Sequence, residues 1–117
     1  MVLGIGIDII EVARVKNLAE KNPRFLKRIF TAEEVEYCSK KKNSHQHLAA
    51  RFAAKEAFFK ALGKRIKWTD VKLYNLPSGK PMLKIRNKER FPFSEVHVSL
   101  SHLADYAAAM VVLERKE

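Results

Sequence analysis

The spacing of apolar residues predicts a strand followed by helices at the start of the chain. Residues 2–10 form a short aliphatic and β-branched run, which is typical of a buried strand. From Glu11 onward the apolar residues recur at helical spacing, and this pattern stops before Pro23. A second helix is predicted to begin after Thr31, because Glu34 follows three residues later in the pattern of a capping box.

The second half of the chain contains a long helix and then several strands. The helix is predicted over residues 46–62, and Gly63 is well suited to end it. Four strand-like segments follow, with turn residues between the first two and between the last two; they cover residues 68–76, 82–86, 96–100 and 106–114. A strand, then helices including one long buried helix, then antiparallel strands indicate an α+β fold. No repeat or linker divides the chain, so residues 1–117 are expected to form a single domain.

Asp8 is a charged residue inside the first apolar strand. Strand alternation places it on one face with Gly4 and Gly6, and two glycines allow close approach of a ligand or of another backbone. An aspartate near a strand end can equally cap the helix that follows it. Both roles of Asp8 are open at this point.

The long helix carries four charged residues although it is apolar on almost every side. Between residues 48 and 62, eleven of fifteen positions are Leu, Ala or Phe, and the charged ones are Arg51, Lys55, Glu56 and Lys60. Burying an unpaired ion costs several kcal/mol, so these side chains should be paired or coordinate something. A surface pair between Glu56 and Lys60 at i, i+4 would explain two of them, but neither Lys55 nor Arg51.

Asp8 and Glu56 would form a candidate metal site if the fold brings them together. Two carboxylates repel each other unless one is protonated or a cation neutralises them. Mg²⁺ is typically held by one or two carboxylates, with water and phosphate oxygens completing its coordination. Nearby lysines match phosphoryl oxygens, so this set of residues suits phosphoryl-group transfer.

The charge balance narrows the class of partner. The chain has 23 Lys and Arg against 13 Asp and Glu, a net charge of +10, which favours an acidic protein, a nucleic acid, an anionic membrane or a phosphate-rich ligand. Its apolar runs are too short to span a bilayer, and the first lacks the basic leader of a signal peptide. Cys38 is the only cysteine, which excludes an internal disulfide and a cysteine-rich zinc site and fits the cytoplasm.

Two other classes of function fit the residues less well. A small RNA-binding module would use aromatic side chains as stacking surfaces, but these are scattered along the chain: Trp68, Tyr74, Phe91 and Phe93. A structural subunit without chemistry would tolerate loss of Asp8 or Glu56.

Four motifs resemble those of the 4′-phosphopantetheinyl transferases. In chain order they are Gly4–Asp8, Arg51–Ala61 with its Lys-Glu-Ala core, Gly79–Pro81 and Val98–His102. Four motifs in order at these spacings are far more specific than any one of them. Together they cover nearly the whole chain, which is similar to the short, single-domain, trimer-forming members of the family, the holo-acyl-carrier-protein synthases.

The resemblance implies a reaction and a set of site residues. Such enzymes move the 4′-phosphopantetheine arm of coenzyme A onto a serine of apo acyl carrier protein, which serves fatty acid biosynthesis. Asp8 and Glu56 would bind Mg²⁺, and Lys60 would stabilise charge on the transferred phosphate or the leaving group. Residues implied to contact coenzyme A also include Arg51, Gly79, Lys80, Pro81 and His102.

The resemblance leaves two details of the site open. The base that activates the serine would be Glu56, directly or through a bound water, with Asp8 as the alternative. Residues 63–67 depart from the glycine-rich loop common in the family and contain one glycine and three cations. Lys64 would reach a coenzyme A phosphate from this segment.

The resemblance also implies two protein partners. Short members of the family are homotrimers with active sites between subunits. Acyl carrier proteins are acidic, and a basic patch would steer such a partner toward the site; its residues are Arg14, Lys21, Arg24 and Arg28. We expect neither a nucleic acid nor a membrane as partner.

Overall fold

The computed structural model describes residues 1–116, in which two antiparallel sheets and three shorter helices surround one long helix. The larger sheet has the strand order β1-β5-β4, and the smaller one pairs β2 with β3. In chain order the elements are β1 (Val2–Glu11), α1 (Val12–Lys21), α2 (Pro23–Ile29), α3 (Ala32–Ser39), α4 (Ser44–Leu62), β2 (Val71–Asn75), β3 (Pro81–Ile85), β4 (Glu95–His102) and β5 (Tyr106–Glu114). The predicted α+β class is confirmed.

Helix α2 is an element that the sequence pattern did not predict. Pro23 occupies its first turn, where the missing N–H is not needed for helical hydrogen bonding. The Asn22 side chain caps the helix by accepting a hydrogen bond from the Arg24 backbone at 3.1 Å. Pro23 therefore ends α1, as predicted, and also begins the next helix.

Two predicted helix ends are confirmed by their hydrogen bonds. The Thr31 hydroxyl accepts from the Glu34 backbone at 3.2 Å, and the Glu34 carboxylate accepts from the Thr31 backbone at 2.9 Å. Gly63 adopts a φ of 84°, in the left-handed region, and its N–H donates to Phe59 at 2.8 Å. By contrast, the strand predicted from residue 68 begins at Val71, because residues 68–70 form a short 3₁₀ turn.

Helix α4 lies directly against the glycine face of β1. A Cβ atom at Gly4 would be 2.0 Å from the Ala61 carbonyl oxygen, and one at Gly6 would be 1.9 Å from that of Ala57. The space beside Asp8 is therefore filled by a second backbone rather than by a ligand. Asp8 does not cap α1 either, since that helix begins four residues after it, at Val12, and has no side-chain cap.

The opposite face of β1 is exposed, so the prediction of a buried strand is wrong for this face. Ile5, Ile7 and Ile9 are 64%, 66% and 67% exposed. Because directly paired residues share a face, Tyr106 and Met110 of β5 extend this surface. We call these five residues the outer sheet face.

Lys55 is paired, as expected for a charge within the apolar stripe of α4. Its amino group is fully buried and donates to the Glu34 carboxylate at 2.7 Å, to the Ile29 carbonyl at 2.7 Å and to the Trp68 carbonyl at 3.2 Å. Burial lowers the pKa of Lys55, and the attraction of Glu34 opposes that effect. The other Glu34 oxygen accepts from the Leu73 backbone at 3.1 Å, so one ion pair joins α3, α4 and β2.

Substitution of Gly6 by Ala should destabilise the protein by about 3 kcal/mol, because the new methyl group cannot fit without moving α4 from β1. Urea unfolding measures this loss. Gly63→Ala is the matched control: no atom lies within 4 Å of its Cβ position, so only the left-handed backbone opposes it, at about 1 kcal/mol. Equal costs for the two variants would contradict the close packing of α4 on β1.

Candidate active site

Asp8 and Lys60 form an ion pair where β1 passes the C-terminal half of α4. The Lys60 amino group lies 3.2 Å from the Asp8 carboxylate and also donates to the Ile7 carbonyl at 2.9 Å. Glu56 precedes Lys60 by one helical turn on the same flank of α4. The Asp8 and Glu56 side chains are each 17% exposed, so both carboxylates are largely withdrawn from water.

Burial and the neighbouring cations shift the pKa of Asp8 in opposite directions. Burial raises its pKa, and the negative charge of Glu56 raises it further. The hydrogen bond and the charge of Lys60 lower the pKa of Asp8, as does the charge of Arg14. Asp8 and Glu56 therefore lie close enough to repel each other. We call Asp8, Glu56 and Lys60 the carboxylate cluster.

Arg65 is a member of this region that the sequence analysis did not identify as functional. Its guanidinium donates to both Glu56 oxygens, at 3.0 and 3.3 Å. The surface pair considered between Glu56 and Lys60 is therefore replaced by two others, Glu56 with Arg65 and Lys60 with Asp8. The run of cations after Gly63 was the available signal, but the spacing along the chain did not show which cation reaches Glu56.

A cavity of about 470 Å³ lies on the other side of α4, between that helix and strands β3 and β4. Five residues predicted to contact coenzyme A line it: Arg51, Gly79, Lys80, Pro81 and His102. The remaining side chains include three that were not predicted to contact coenzyme A: Tyr37, His47 and Asn75. Lys64 does not line this cavity; its amino group lies 5.7 Å from the centre of the Phe91 ring.

Arg51 supplies a buried positive charge to the cavity. It is 2% exposed, and its guanidinium lies 4.4 Å from the centre of the Tyr37 ring. It donates to the Asn75 side chain at 2.7 Å, and Asn75 in turn donates to the Gly79 carbonyl at 3.0 Å. Within residues 1–116 Arg51 forms no salt bridge, and its Nε has no hydrogen-bond partner. A buried guanidinium without a carboxylate is suited to binding an anion.

Two histidines stand side by side at the cavity. The ring centres of His47 and His102 are 5.2 Å apart, and His102 Nδ1 lies 2.9 Å from the Gln46 side-chain oxygen. Burial lowers the pKa of His47, and the positive charges of His102 and Arg51 lower it further. The cavity is thus rich in cationic and hydrogen-bonding groups, as an anion site requires.

The cavity and the carboxylate cluster lie on different flanks of α4. At about 3.6 residues per turn, Lys60 is about half a turn around the helix from Arg51. One chain therefore gathers most of the predicted metal and coenzyme A residues into two groups that it does not join, and Lys64 belongs to neither group.

The predicted basic patch is exposed on α1 and α2. Arg14, Lys21, Arg24 and Arg28 are all exposed, and none of them forms an ion pair within the part of the chain that the structure describes. Arg14 is near enough to the carboxylate cluster to lower the pKa of Asp8. Arg14 therefore places one end of the patch near the cluster.

Several other features have a structural explanation. Trp68 packs on Phe52 and Phe59, and Phe93 is buried against Phe58, so these rings do not form a stacking surface for bases. Cys38 is buried, which raises the pKa of its thiol to about 11 and leaves it a core residue. None of the helices described over residues 1–116 has the length and apolarity needed to cross a membrane.

Known proteins resemble this chain over its full length. The family described as the 4′-phosphopantetheinyl transferase superfamily matches residues 4–111. A holo-[acyl-carrier-protein] synthase of Geobacter metallireducens is 46% identical over 98% of this chain and 99% of its own length. The corresponding protein of Clostridium tetani is 42% identical over 97% of each chain.

Solved structures of similar proteins share the fold. A holo-(acyl-carrier-protein) synthase from Bacillus anthracis, in complex with CoA (3′,5′-ADP), is 36% identical, with a TM-score of 0.86 over 99% of both chains. The synthase from Neisseria meningitidis is 32% identical, with a TM-score of 0.88 over 98% of this chain and 100% of that one.

The chain therefore belongs to the 4′-phosphopantetheinyl transferase superfamily, an enzyme family. The resemblance read from its four motifs is confirmed, and the full-length matches are to holo-[acyl-carrier-protein] synthases.

The cavity should reveal itself as an anion site through the titration of His47. Followed by NMR, the pKa of His47 should lie below the usual histidine range and rise when inorganic pyrophosphate binds, because the anion offsets the nearby positive charges. Pyrophosphate should accordingly bind more tightly as the pH falls from the His47 pKa of the bound protein to the lower His47 pKa of the free protein. The His97 resonance, outside the cavity, is the internal control. A pyrophosphate response that survives in Arg51→Ala would contradict this assignment.

Proposed function

We propose that the chain transfers the 4′-phosphopantetheine group of coenzyme A to a serine of an apo acyl carrier protein, as part of fatty acid biosynthesis. The observation that carries the proposal is the presence of two complementary sites on one helix. A carboxylate cluster suited to a metal and a diphosphate lies on one flank of α4, and an anion cavity lies on the other. The names of the full-length relatives and the coenzyme A complex of one solved neighbour support the choice of substrates.

Asp8 and Glu56 are the residues that would hold Mg²⁺. Their donor set fits the ion, since two carboxylates supply the hard oxygen ligands that Mg²⁺ prefers. Both are largely buried and close enough to repel, and each now faces a cationic side chain, Lys60 or Arg65. When bound, the ion supplies Lewis-acid neutralisation of the phosphoryl oxygens.

The protein's own groups account for the movement of the proton and the phosphoryl group. Glu56 accepts the proton of the carrier serine, directly or through a water, and Asp8 is the alternative base. The serine oxygen then bonds to the phosphorus that carries pantetheine. The bond from that phosphorus to the bridging oxygen breaks, and its electron pair leaves with adenosine 3′,5′-bisphosphate.

Lys60 stabilises the charge that develops on the transferred group. An ammonium has three donors, and Lys60 uses two of them on Asp8 and Ile7. The third is available to a phosphoryl oxygen or to the leaving group. Lys64, in the segment after Gly63, is a further candidate for contact with a coenzyme A phosphate.

The cavity around Arg51 is the proposed site for the nucleotide end of coenzyme A. Arg51 provides the buried charge, and His102 and the Gly79–Pro81 turn also line the cavity. Gly79 adopts a φ of 93°, which suits glycine at this turn. Asn75 keeps Arg51 and this turn in register through its two hydrogen bonds.

We propose a homotrimer in which neighbouring subunits complete each active site. The two flanks of α4 carry groups that one coenzyme A molecule would need together. The outer sheet face also leaves three isoleucines exposed beside Tyr106 and Met110, as expected of a surface that packs against another subunit. An assembly of this kind would bring the carboxylate cluster of one chain to the cavity of another.

The basic patch is the proposed docking surface for the carrier protein. The patch offers unpaired positive charge at Arg14, Lys21, Arg24 and Arg28. Arg14 lies near the carboxylate cluster, where an acidic partner must place its serine. We further propose that residues 1–117 act as one domain in the cytoplasm. One buried apolar cluster joining both sheets to α4 supports the first point, and the single free cysteine supports the second.

Transfer should be visible by intact mass spectrometry as the gain of one phosphopantetheine group by an apo acyl carrier protein. The reaction contains coenzyme A and Mg²⁺. Glu56→Gln should slow it at least about 100-fold, because the base and a metal ligand are lost. EDTA should stop it. Glu36→Gln, which removes an exposed carboxylate of α3 that pairs with Lys40, should leave the rate unchanged. A product insensitive to both EDTA and Glu56→Gln would contradict the proposed site.

Mixed trimers test whether the site is shared. Glu56→Ala and Arg51→Ala subunits, each inactive alone, should regain activity when unfolded and refolded together. Some interfaces then combine the intact carboxylate cluster of an Arg51→Ala chain with the intact cavity of a Glu56→Ala chain. Glu56→Ala mixed with Lys60→Ala should gain no activity, since both changes affect the carboxylate cluster. Equal recovery in the two mixtures, or none in either, would contradict a site shared between subunits.

A further inference from the structure

Arg65 occupies the carboxylate that the metal would need. Its two terminal nitrogens lie 3.0 and 3.3 Å from the two Glu56 oxygens, so the pair is bidentate. The guanidinium also lies 5.6 Å from the centre of the Phe59 ring and 5.5 Å from that of Trp68. These rings hold Arg65 above the C-terminal half of α4, within reach of Glu56.

A cation bound by Glu56 must compete with this arrangement. A guanidinium stays charged at any physiological pH, so Arg65 cannot relieve the conflict by losing a proton. It has to release at least one Glu56 oxygen and move its charge away from the metal. Within residues 1–116 Arg65 pairs with no second carboxylate, so its charge then needs another anionic partner.

We propose that Arg65 is a counter-ion that the metal displaces from Glu56, and that the diphosphate of coenzyme A then accepts it. The proposal rests on Glu56 as a metal ligand in the function proposed above. A diphosphate offers the paired oxygens that a guanidinium prefers, so Arg65 exchanges one bidentate partner for another. Metal and coenzyme A therefore bind cooperatively, because each favours the state in which Arg65 has left Glu56.

The neighbouring cations Lys64 and Lys67 do not pair with Glu56. Lys64 lies over the Phe91 ring, and the Lys67 side chain forms no hydrogen bond or ion pair within the described part of the chain. Lys67→Gln is therefore the matched control for Arg65→Gln, since it removes the same charge from the same segment without changing the contact to Glu56.

Mn²⁺ binding, followed by electron paramagnetic resonance of the free ion, tests the proposal without turnover. In the absence of coenzyme A, Arg65→Gln should bind Mn²⁺ about fivefold more tightly than the unmodified protein, and Lys67→Gln less than about twofold more tightly. Coenzyme A should strengthen Mn²⁺ binding in the unmodified protein, after subtraction of its own Mn²⁺ binding, and this gain should shrink in Arg65→Gln. Arg65→Lys keeps the charge but loses the bidentate contact, so its Mn²⁺ affinity without coenzyme A should lie between those of the unmodified protein and Arg65→Gln.

The outcomes separate this proposal from the function on which it rests. If the protein does not bind Mn²⁺, or if Glu56→Gln and Asp8→Asn bind it as tightly as the unmodified protein, both the proposed metal site and the proposed role of Arg65 are contradicted. Binding that Glu56→Gln abolishes, but that Arg65→Gln leaves equal to or weaker than in Lys67→Gln, would overturn the role of Arg65 alone. Thermal unfolding of each variant without metal verifies that the titrations compare folded proteins.

Discussion

The close approach of α4 to β1 is the constraint on which the site depends. Gly4 and Gly6 let the helix carbonyls of Ala61 and Ala57 occupy the positions where side chains would otherwise stand. This contact brings Lys60 within 3.2 Å of Asp8 and sets Glu56 close enough to raise the pKa of Asp8. A wider separation would leave a strand carboxylate and a helix carboxylate as unrelated surface groups.

The charges on α4 serve different purposes although they lie close together in the chain. Lys55 is paired with Glu34 in the interior, and breaking such a pair by removing one partner typically costs about 3–5 kcal/mol. Arg51 is also buried but has an amide and an aromatic ring as neighbours instead of a carboxylate. The first charge joins three elements of the fold, whereas the second remains available to an anion.

The surface of the molecule is consistent with a chain that works together with copies of itself. The outer sheet face exposes isoleucines that a monomer would bury, and the two groups of site residues point away from each other around α4. In the proposed trimer, the contact between subunits covers the outer sheet face and also brings the two groups of site residues together. Stability and catalysis would then both depend on protomer concentration.

Much of this protein was readable from its sequence because the signals are local. The capping box at Thr31, the helix end at Gly63 and the last strand follow from residues that contact each other within a few positions. The four motifs likewise indicated the family and the identities of the charged residues. The tertiary structure decided which charges meet: Glu56 pairs with Arg65 rather than Lys60, and Arg51 faces a cavity with His47 and Asn75. It also decided that one face of β1 is exposed. Such outcomes depend on how distant segments pack, and the periodicity of a single element contains no information about its neighbours.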